Sequence, residues 1–397
     1  MTGVSTIGLA LRQIANINTQ QKKFDTLSYQ LASGKKTQVF SGLGNNILTS
    51  QRARANLSSL DIYRTNITNG KRTMDLMQSA IGEFQAQTKN LDSMMVGLSQ
   101  ESVHTAGQKV YYDDPLTTEV ENTQVGVTSA DMDVDFKTMQ DLANNLFPFL
   151  QDLLNTKDGD NYLLAGNDSS TQPIQDNGTL DAAINQLIKD WKAGTISNDE
   201  LVADLFDGEA SASNPNAITD SMIGYSPNLS SGNVGDVSVR VDKNTEVKYT
   251  ALANDPAFRD IIVATAFMKN ANLPPIADVY ENGVYTGTPD VEGAPGATLD
   301  DMKANFFAVF QTVSQKVNAG IDNIQGVSYH ISSAQARIAE IDTTHQDEQT
   351  LLKNTISDVE DVDINQIGVE ITALQTQLQA SYSVTALGQQ LSLVNFL

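Results

Sequence analysis

Residues 306–341 read FFAVFQTVSQKVNAGIDNIQGVSYHISSAQARIAEI. The apolar and small positions in this stretch are Phe306, Val309, Val313, Val317, Gly320, Ile324, Val327, Ile331, Ala334, Ile338 and Ile341. They recur at steps of three and four, with one extra residue near Val317. Such steps lay a stripe along one face of a helix, and a stripe this long needs another helix to cover it. The theme continues through Leu352, Ile356, Val359, Ile364, Ile367, Ile371, Leu374 and Leu378, and the sequence closes on ALGQQLSLVNFL at 386–397, which carries Leu387 and Leu391.

The partner is read at the other end. Leu60, Tyr63, Ile67, Gly70, Met74, Met77, Ile81, Phe84, Thr88, Leu91, Met95 and Leu98 repeat without a slip. At about 1.5 Å per residue this rod would be about 57 Å long. That exceeds the usual globular helix and points to a coiled coil or long bundle. Ahead of it, Ile7, Leu11, Ile14, Ile17, Phe24, Leu27 and Leu31 form a further stripe that stops at Ser33-Gly34. A polar, glycine-containing break, 34–46, separates the two.

All ten prolines lie between Pro115 and Pro295. Proline costs about 3 kcal/mol or more inside a helix, so the chain divides into two helical ends and a mixed middle. Short strands are expected at 110–112 and 120–127, and a helix over 131–156 kinked at Pro148. A strand and turn follow at 161–168. Further on come helices at Leu180–Trp191 and Asn198–Phe206, strands within Val234–Tyr249, and a helix at Asp255–Met268. The fold class is mainly α, a long antiparallel helical bundle made from both chain ends with an inserted mixed α/β outer domain. The expected division is 1–50 with 350–397, 51–175 with 297–349, and 176–296 as the insert.

Charge follows the same division. Residues 1–110 hold 12 Lys and Arg against 6 Asp and Glu, whereas 297–397 hold 4 against 12. Opposite signs favour association of the two ends, setting orientation more than stability. The net charge of -23 argues against a nucleic-acid partner, which needs clustered cations. Forty per cent hydrophobic residues is a globular composition, and the absence of cysteine removes disulfide and thiol chemistry. The N-terminus has no basic, apolar signal pattern, and no run reaches a membrane span, so no membrane insertion is expected.

Sites for chemistry are sparse. His104, His330 and His345 are isolated, and no phosphate-loop or nucleophile-elbow motif occurs. Asp131/Asp133/Asp135 and Asp358/Glu360/Asp361/Asp363 lack the pattern of a calcium loop and read instead as carboxylates near a helix N-terminus. Lys35-Lys36 read as cations favouring the C-terminal end of the first helix. No catalytic, cofactor or metal residues are assigned, and no enzyme is expected. The insert's Trp191, Tyr225, Tyr249, Tyr280 and Tyr285 allow the alternative of a polysaccharide-binding surface module. The remaining candidate site is the set of terminal helix seams: Ile7, Leu11, Ile14, Leu27, Leu31, Ile364, Ile367, Ile371, Leu374, Leu378, Leu387 and Leu391. Their stripes are broken by Asn18, Gln20, Gln21, Ser381 and Thr385, so the helices are marginal alone and suited to ordering on assembly.

Leu31-Ala32-Ser33-Gly34-Lys35-Lys36, Asn66-Ile67-Thr68-Asn69-Gly70, Val359-Glu360-Asp361-Val362-Asp363 and the closing stretch 373–397 together resemble the bacterial flagellin superfamily. Tyr162-Leu163-Leu164-Ala165-Gly166, Thr171-Gln172-Pro173 and 255–262 are similar to its hook-associated protein 3 branch. The resemblance covers both ends. It implies a structural flagellar subunit for motility, exported unfolded without a cleaved signal, with its termini paired in an inner tube and its middle facing outward. The partners implied are other copies of itself, hook-associated protein 1, flagellin, the export apparatus and an export chaperone. A filament-forming flagellin is the alternative within the superfamily.

Overall fold

The computed structural model describes residues 3–99, 109–112, 123–126, 136–211, 214–271, 280–281, 284–285, 295 and 299–394. The helices are α1 (Gly3–Ser33), α2 (Ile47–Ser99), α3 (Phe136–Leu154), α4 (Thr179–Lys192), α5 (Asn198–Phe206), α6 (Asp220–Ile223), α7 (Pro227–Ser230), α8 (Pro256–Asn270), α9 (Leu299–Glu360) and α10 (Ile364–Val394). The strands form antiparallel two-stranded pairs: β1 (Lys109–Tyr112) with β2 (Thr123–Gly126), β3 (Lys157–Asp158) with β4 (Asn161–Tyr162), β5 (Ser238–Arg240) with β6 (Glu246–Lys248), and β7 (Tyr280–Glu281) with β8 (Val284–Tyr285). The protein is mainly helical, with long helices from both chain ends packed together and small strand pairs in the middle. Part of the expected 131–156 helix, 131–135, lies outside the described residues, as does most of the stretch 286–298.

Contacts divide the chain into two compact units, Met1–Thr65 with Ile341–Leu397, and Asn66–Glu340. Helices α2 and α9 contribute residues to both.

In the terminal unit α1 ends where Gly34 takes a left-handed φ of 68° and its N–H donates to Gln30 O at 2.8 Å. Glycine carries this conformation without a Cβ penalty. A 3-10 turn, Phe40–Asn46, leads into α2. At the other end, α9 stops at Glu360 and α10 starts after Asp363, whose carboxylate accepts from the N–H groups of Asn365 (2.9 Å) and Gln366 (3.3 Å). Helices α1 and α10 pack around buried Leu27, Ile367 and Leu374, with Phe24, Val362, Ile371 and Leu378 alongside.

The Asn66–Glu340 unit has the larger core. The 3–4 stripes are its spine: Ile67, Met74, Met77, Ile81, Phe84, Leu91 and Met95 on α2, and Phe306, Val309, Val313, Val317, Ile324, Ile331 and Ile338 on α9, are all buried. Gln78 Nε2 donates to Ser328 O (2.7 Å), and Gln85 Nε2 to Ile321 O (3.0 Å), tying α2 to α9 on the flanks of the seam.

The two glycines of the stripes have a different use from the one periodicity suggests. A Cβ on Gly70 would lie 2.7 Å from Val239 Cγ2, and one on Gly320 would lie 2.9 Å from Ile261 Cγ1. Both are points where strand β5 or helix α8 comes up against a rod helix backbone. Helix α8 is apolar nearly all round, with Phe258, Ile261, Ile262, Val263, Ala264, Ala266 and Phe267 buried. A helix of that kind belongs inside a core. Phe258 meets Phe84 edge to face at 5.2 Å, so the rod and the middle share this core. Start signals are local: α8 opens on an Asp255 cap with Pro256 behind it, and α5 on a Ser197/Glu200 capping box.

Candidate assembly site

The two chain ends are joined at the helix breaks. Lys35 and Asp361 form an antiparallel bridge, with Lys36 N–H donating to Glu360 O at 2.7 Å and Val362 N–H to Gly34 O at 3.0 Å. This two-bond ladder holds the break after α1 against the break after α9.

Side chains reinforce it. Glu360 is 8% exposed and accepts from Arg54 at both oxygens, from Ser50 Oγ at 2.6 Å, and from Lys35 Nζ at 3.4 Å. Lys35 Nζ also reaches Asp361 Oδ1 at 2.5 Å. The hydrogen bonds from Arg54 hold the Glu360 carboxyl at about 2, well below its usual 4.5. Asp361 is lowered too, chiefly by Lys35 and then by Ser357, while Lys35 is raised chiefly by Asp361. Ser50 and Glu360 are both buried, so this is an ion pair with every oxygen of the carboxylate engaged.

Lys36 acts on the backbone. Its ammonium donates to Asp358 O (2.5 Å) and Val359 O (3.1 Å), orphan carbonyls of the last turn of α9. Contrary to the expectation that both lysines favour the C-terminal end of the first helix, Lys36 caps the C-terminus of α9 across the junction and Lys35 pairs with the carboxylates of Glu360 and Asp361. Likewise Glu360 and Asp361 stand at a helix C-terminus, the unfavourable end for carboxylates, and are held there by Lys35, Arg54 and Ser50. Asp363 alone of that cluster caps an N-terminus. Arg54 and Ser50 were not legible as site residues, although the opposed charges of the two ends were a signal for them.

The predicted seam residues fall into three sets. Leu27, Ile367 and Leu374 are buried together, with Ile371 and Leu378 packed on them. Leu11, Ile14, Leu31, Ile364 and Leu387 are exposed, at 41–62%. Ile7 and Leu391 lie within α1 and α10. Polar residues that break the stripes meet one another: Gln21 Nε2 donates to Tyr382 Oη at 2.8 Å, and Ser381 Oγ to Gln20 Oε1 at 3.4 Å.

In the middle of the chain, Trp191 and Tyr225 are core residues at 1% and 4% exposure, so neither offers a stacking face. Tyr249 is also mostly buried. Tyr280 and Tyr285 are backbone partners in the β7–β8 register. Among the described residues no group of His, Cys, Asp and Glu is arranged to hold a metal, and no helix is long and apolar enough to cross a membrane.

Residues 344–397 match a family described as the bacterial flagellin C-terminal helical region. This segment takes in the end of α9, the Glu360 junction and α10. Among solved structures, the chain is similar to one described as a flagellar hook-associated protein from Vibrio parahaemolyticus, at 11% identity and a TM-score of 0.46, covering 79% of this chain and 97% of that one. No curated protein matches the chain in sequence.

Proposed function

We propose that the chain is a structural subunit of the bacterial flagellum that assembles through its paired terminal helices, and that its place is the junction between hook and filament. The observation that carries this reading is the divided seam. Helices α1 and α10 bury Leu27, Ile367 and Leu374 between them, yet leave Leu11, Ile14, Leu31, Ile364, Val369, Val384 and Leu387 exposed. Single exposed leucines are ordinary on a protein surface. Seven on one helix pair leave an apolar surface suited to burial against further copies. The C-terminal family match at 344–397 supports the flagellar-subunit part of this reading.

In this reading 1–50 with 350–397 is the assembly domain, and the chain reaches the cell exterior by unfolded export. The role is one of packing, not catalysis. Its partners are further copies, the neighbouring hook-associated protein and flagellin, with the export apparatus and a chaperone before assembly.

Electron microscopy of the purified chain, alone and with filament or hook seeds, tests it. Soluble monomers whose termini are protease-sensitive and which add as a short cap to hooks fit the junction role. Long filaments from the chain alone indicate the filament-forming flagellin instead. A chain that neither polymerises nor adds to either seed removes the flagellar reading altogether.

A further inference from the structure

We propose that a polar cleft in the Asn66–Glu340 unit binds a neutral saccharide. The cleft has a volume of about 400 Å³, within the roughly 300–1,000 Å³ of small-molecule sites. Its walls come from three separate segments: Thr73 on α2, the hairpin and turn of 158–169, and 236–249 around β5 and β6. Asp158, Asn161, Asn167 and Asp236 supply planar polar groups, and half-buried Tyr162 supplies a ring.

These groups are already fixed. Asp158 Oδ2 accepts from Arg72 Nη2 at 2.9 Å and Thr73 Oγ1 at 3.0 Å. Asp236 is bound by Lys248 and by Thr250 Oγ1 at 3.2 Å. Asn161 Oδ1 accepts from Ser169 Oγ at 3.0 Å, and Asn167 Oδ1 from Gly235 N–H at 2.9 Å. The turn between them needs glycine at 166, where φ is 61° and a Cβ would lie 2.1 Å from Val234 Cγ1. Preorganised polar groups spare a ligand the cost of ordering them.

The lining selects the ligand class. No Lys or Arg lines the cleft and two carboxylates do, so an anion is disfavoured. Arg72 and Lys248 already pair with those carboxylates, so a cation gains little. A neutral polyol meets both conditions. Its hydroxyls donate to carboxylate and amide oxygens, and its C–H face lies against the Tyr162 ring. Hydrolysis is not implied. A glycosidase pair needs one carboxyl raised to act as acid, and Asp236 is held below its usual range, chiefly by Lys248.

The proposal stands apart from the assembly reading and is tested on the intact monomeric chain. The chain is applied to an array of neutral glucose, galactose, mannose and N-acetylhexosamine oligosaccharides, with oligogalacturonate as the anionic control. Affinity for any neutral binder is then measured by calorimetry. Asp158→Asn removes one acceptor. Ser238→Trp fills the mouth from an exposed strand position and leaves the core alone. Each is expected to weaken binding about tenfold or more, at an unchanged melting temperature for Ser238→Trp. Silence across the neutral panel, equal capture of oligogalacturonate, or native affinity in Ser238→Trp would overturn the proposal.

Discussion

Arg54 and Glu360 meet along two parallel hydrogen bonds, Nε to Oε1 at 2.7 Å and Nη2 to Oε2 at 2.5 Å. They are 306 positions apart in the chain, and the bond holds α2 to the end of α9. Arg54→Ala leaves the Glu360 carboxylate buried with Ser50 and a distant Lys35. Removing one partner of a fully buried pair costs about 3–5 kcal/mol. Arg54 is 48% exposed and water replaces part of its contribution, so the expected loss is about 1–3 kcal/mol. Urea denaturation checks it. Glu360→Gln, which keeps the shape and drops the charge, is expected to fall between native and Arg54→Ala.

The same carboxylate makes the terminal unit acid-sensitive. Glu360 is lowered in the folded chain from 4.5 to about 2. A group lowered on folding stabilises fully above its unfolded value and loses that contribution as pH falls through its folded value. The window therefore runs from about pH 4.5 down to about pH 2, and Asp361, lowered by Lys35, acts in the same direction. Denaturation midpoints across this range are expected to fall more steeply for the native chain than for Glu360→Gln. Parallel pH profiles for the two would refute the assignment.

Elements with strong periodicity were legible, and points of contact between elements were not. The 3–4 stripes located α2 and α9, Ser33-Gly34 marked the end of α1, and Asp255-Pro256 the start of α8. These signals lie within one stretch of chain. The Glu360 cluster draws on residues 35, 50, 54 and 360, and no local pattern relates them; only the opposed net charges of the two ends hinted at such a contact. Gly70 and Gly320 fitted the stripe spacing equally as seam fillers. Their actual use, admitting Val239 and Ile261 to a helix backbone, depends on which segment folds back over them.

Gly320 and Gly326 both lie inside α9 and are expected to respond in opposite ways. A Cβ at Gly320 would lie 2.9 Å from Ile261 Cγ1 and 3.1 Å from Ala257 O, and the carbonyl belongs to a helix backbone that yields little. Gly320→Val is expected to destabilise by about 1–3 kcal/mol through overpacking. Nothing lies within 4 Å of a Cβ at Gly326, so Gly326→Ala gains about 0.5–1 kcal/mol of helix propensity. Paired thermal melts decide it.

Arg259 is a buried cation with its needs met inside α8's surroundings. Its guanidinium donates to Ile218 O at 2.6 Å and Phe206 O at 3.2 Å, and pairs with Asp220 and Asp260 at 3.3 Å each. Asp260 is pushed up by burial even with this cation beside it. Arg259→Met strands two carbonyls and a half-buried carboxylate, and is expected to cost about 2–4 kcal/mol. A melting temperature within error of native would contradict this account.

The divided seam separates folding from assembly, and two substitutions on one helix read them apart. Leu27 is 4% exposed between Ile367 and Leu374, so Leu27→Ala opens a cavity in the α1–α10 pair. The cost for a buried leucine is about 2–5 kcal/mol, and a small three-residue cluster that can collapse sets it at the low end. Proteolysis of the termini should quicken accordingly. Leu11, on the same helix, is 62% exposed, so Leu11→Ser should leave monomer stability within about 0.5 kcal/mol of native. If further copies cover that face, Leu11→Ser monomers fold and are exported yet fail to add to hook or filament seeds. Leu27→Ala monomers fail at both. Normal addition by Leu11→Ser would mean that this part of the exposed stripe is not an assembly surface, whatever the terminal helices do elsewhere.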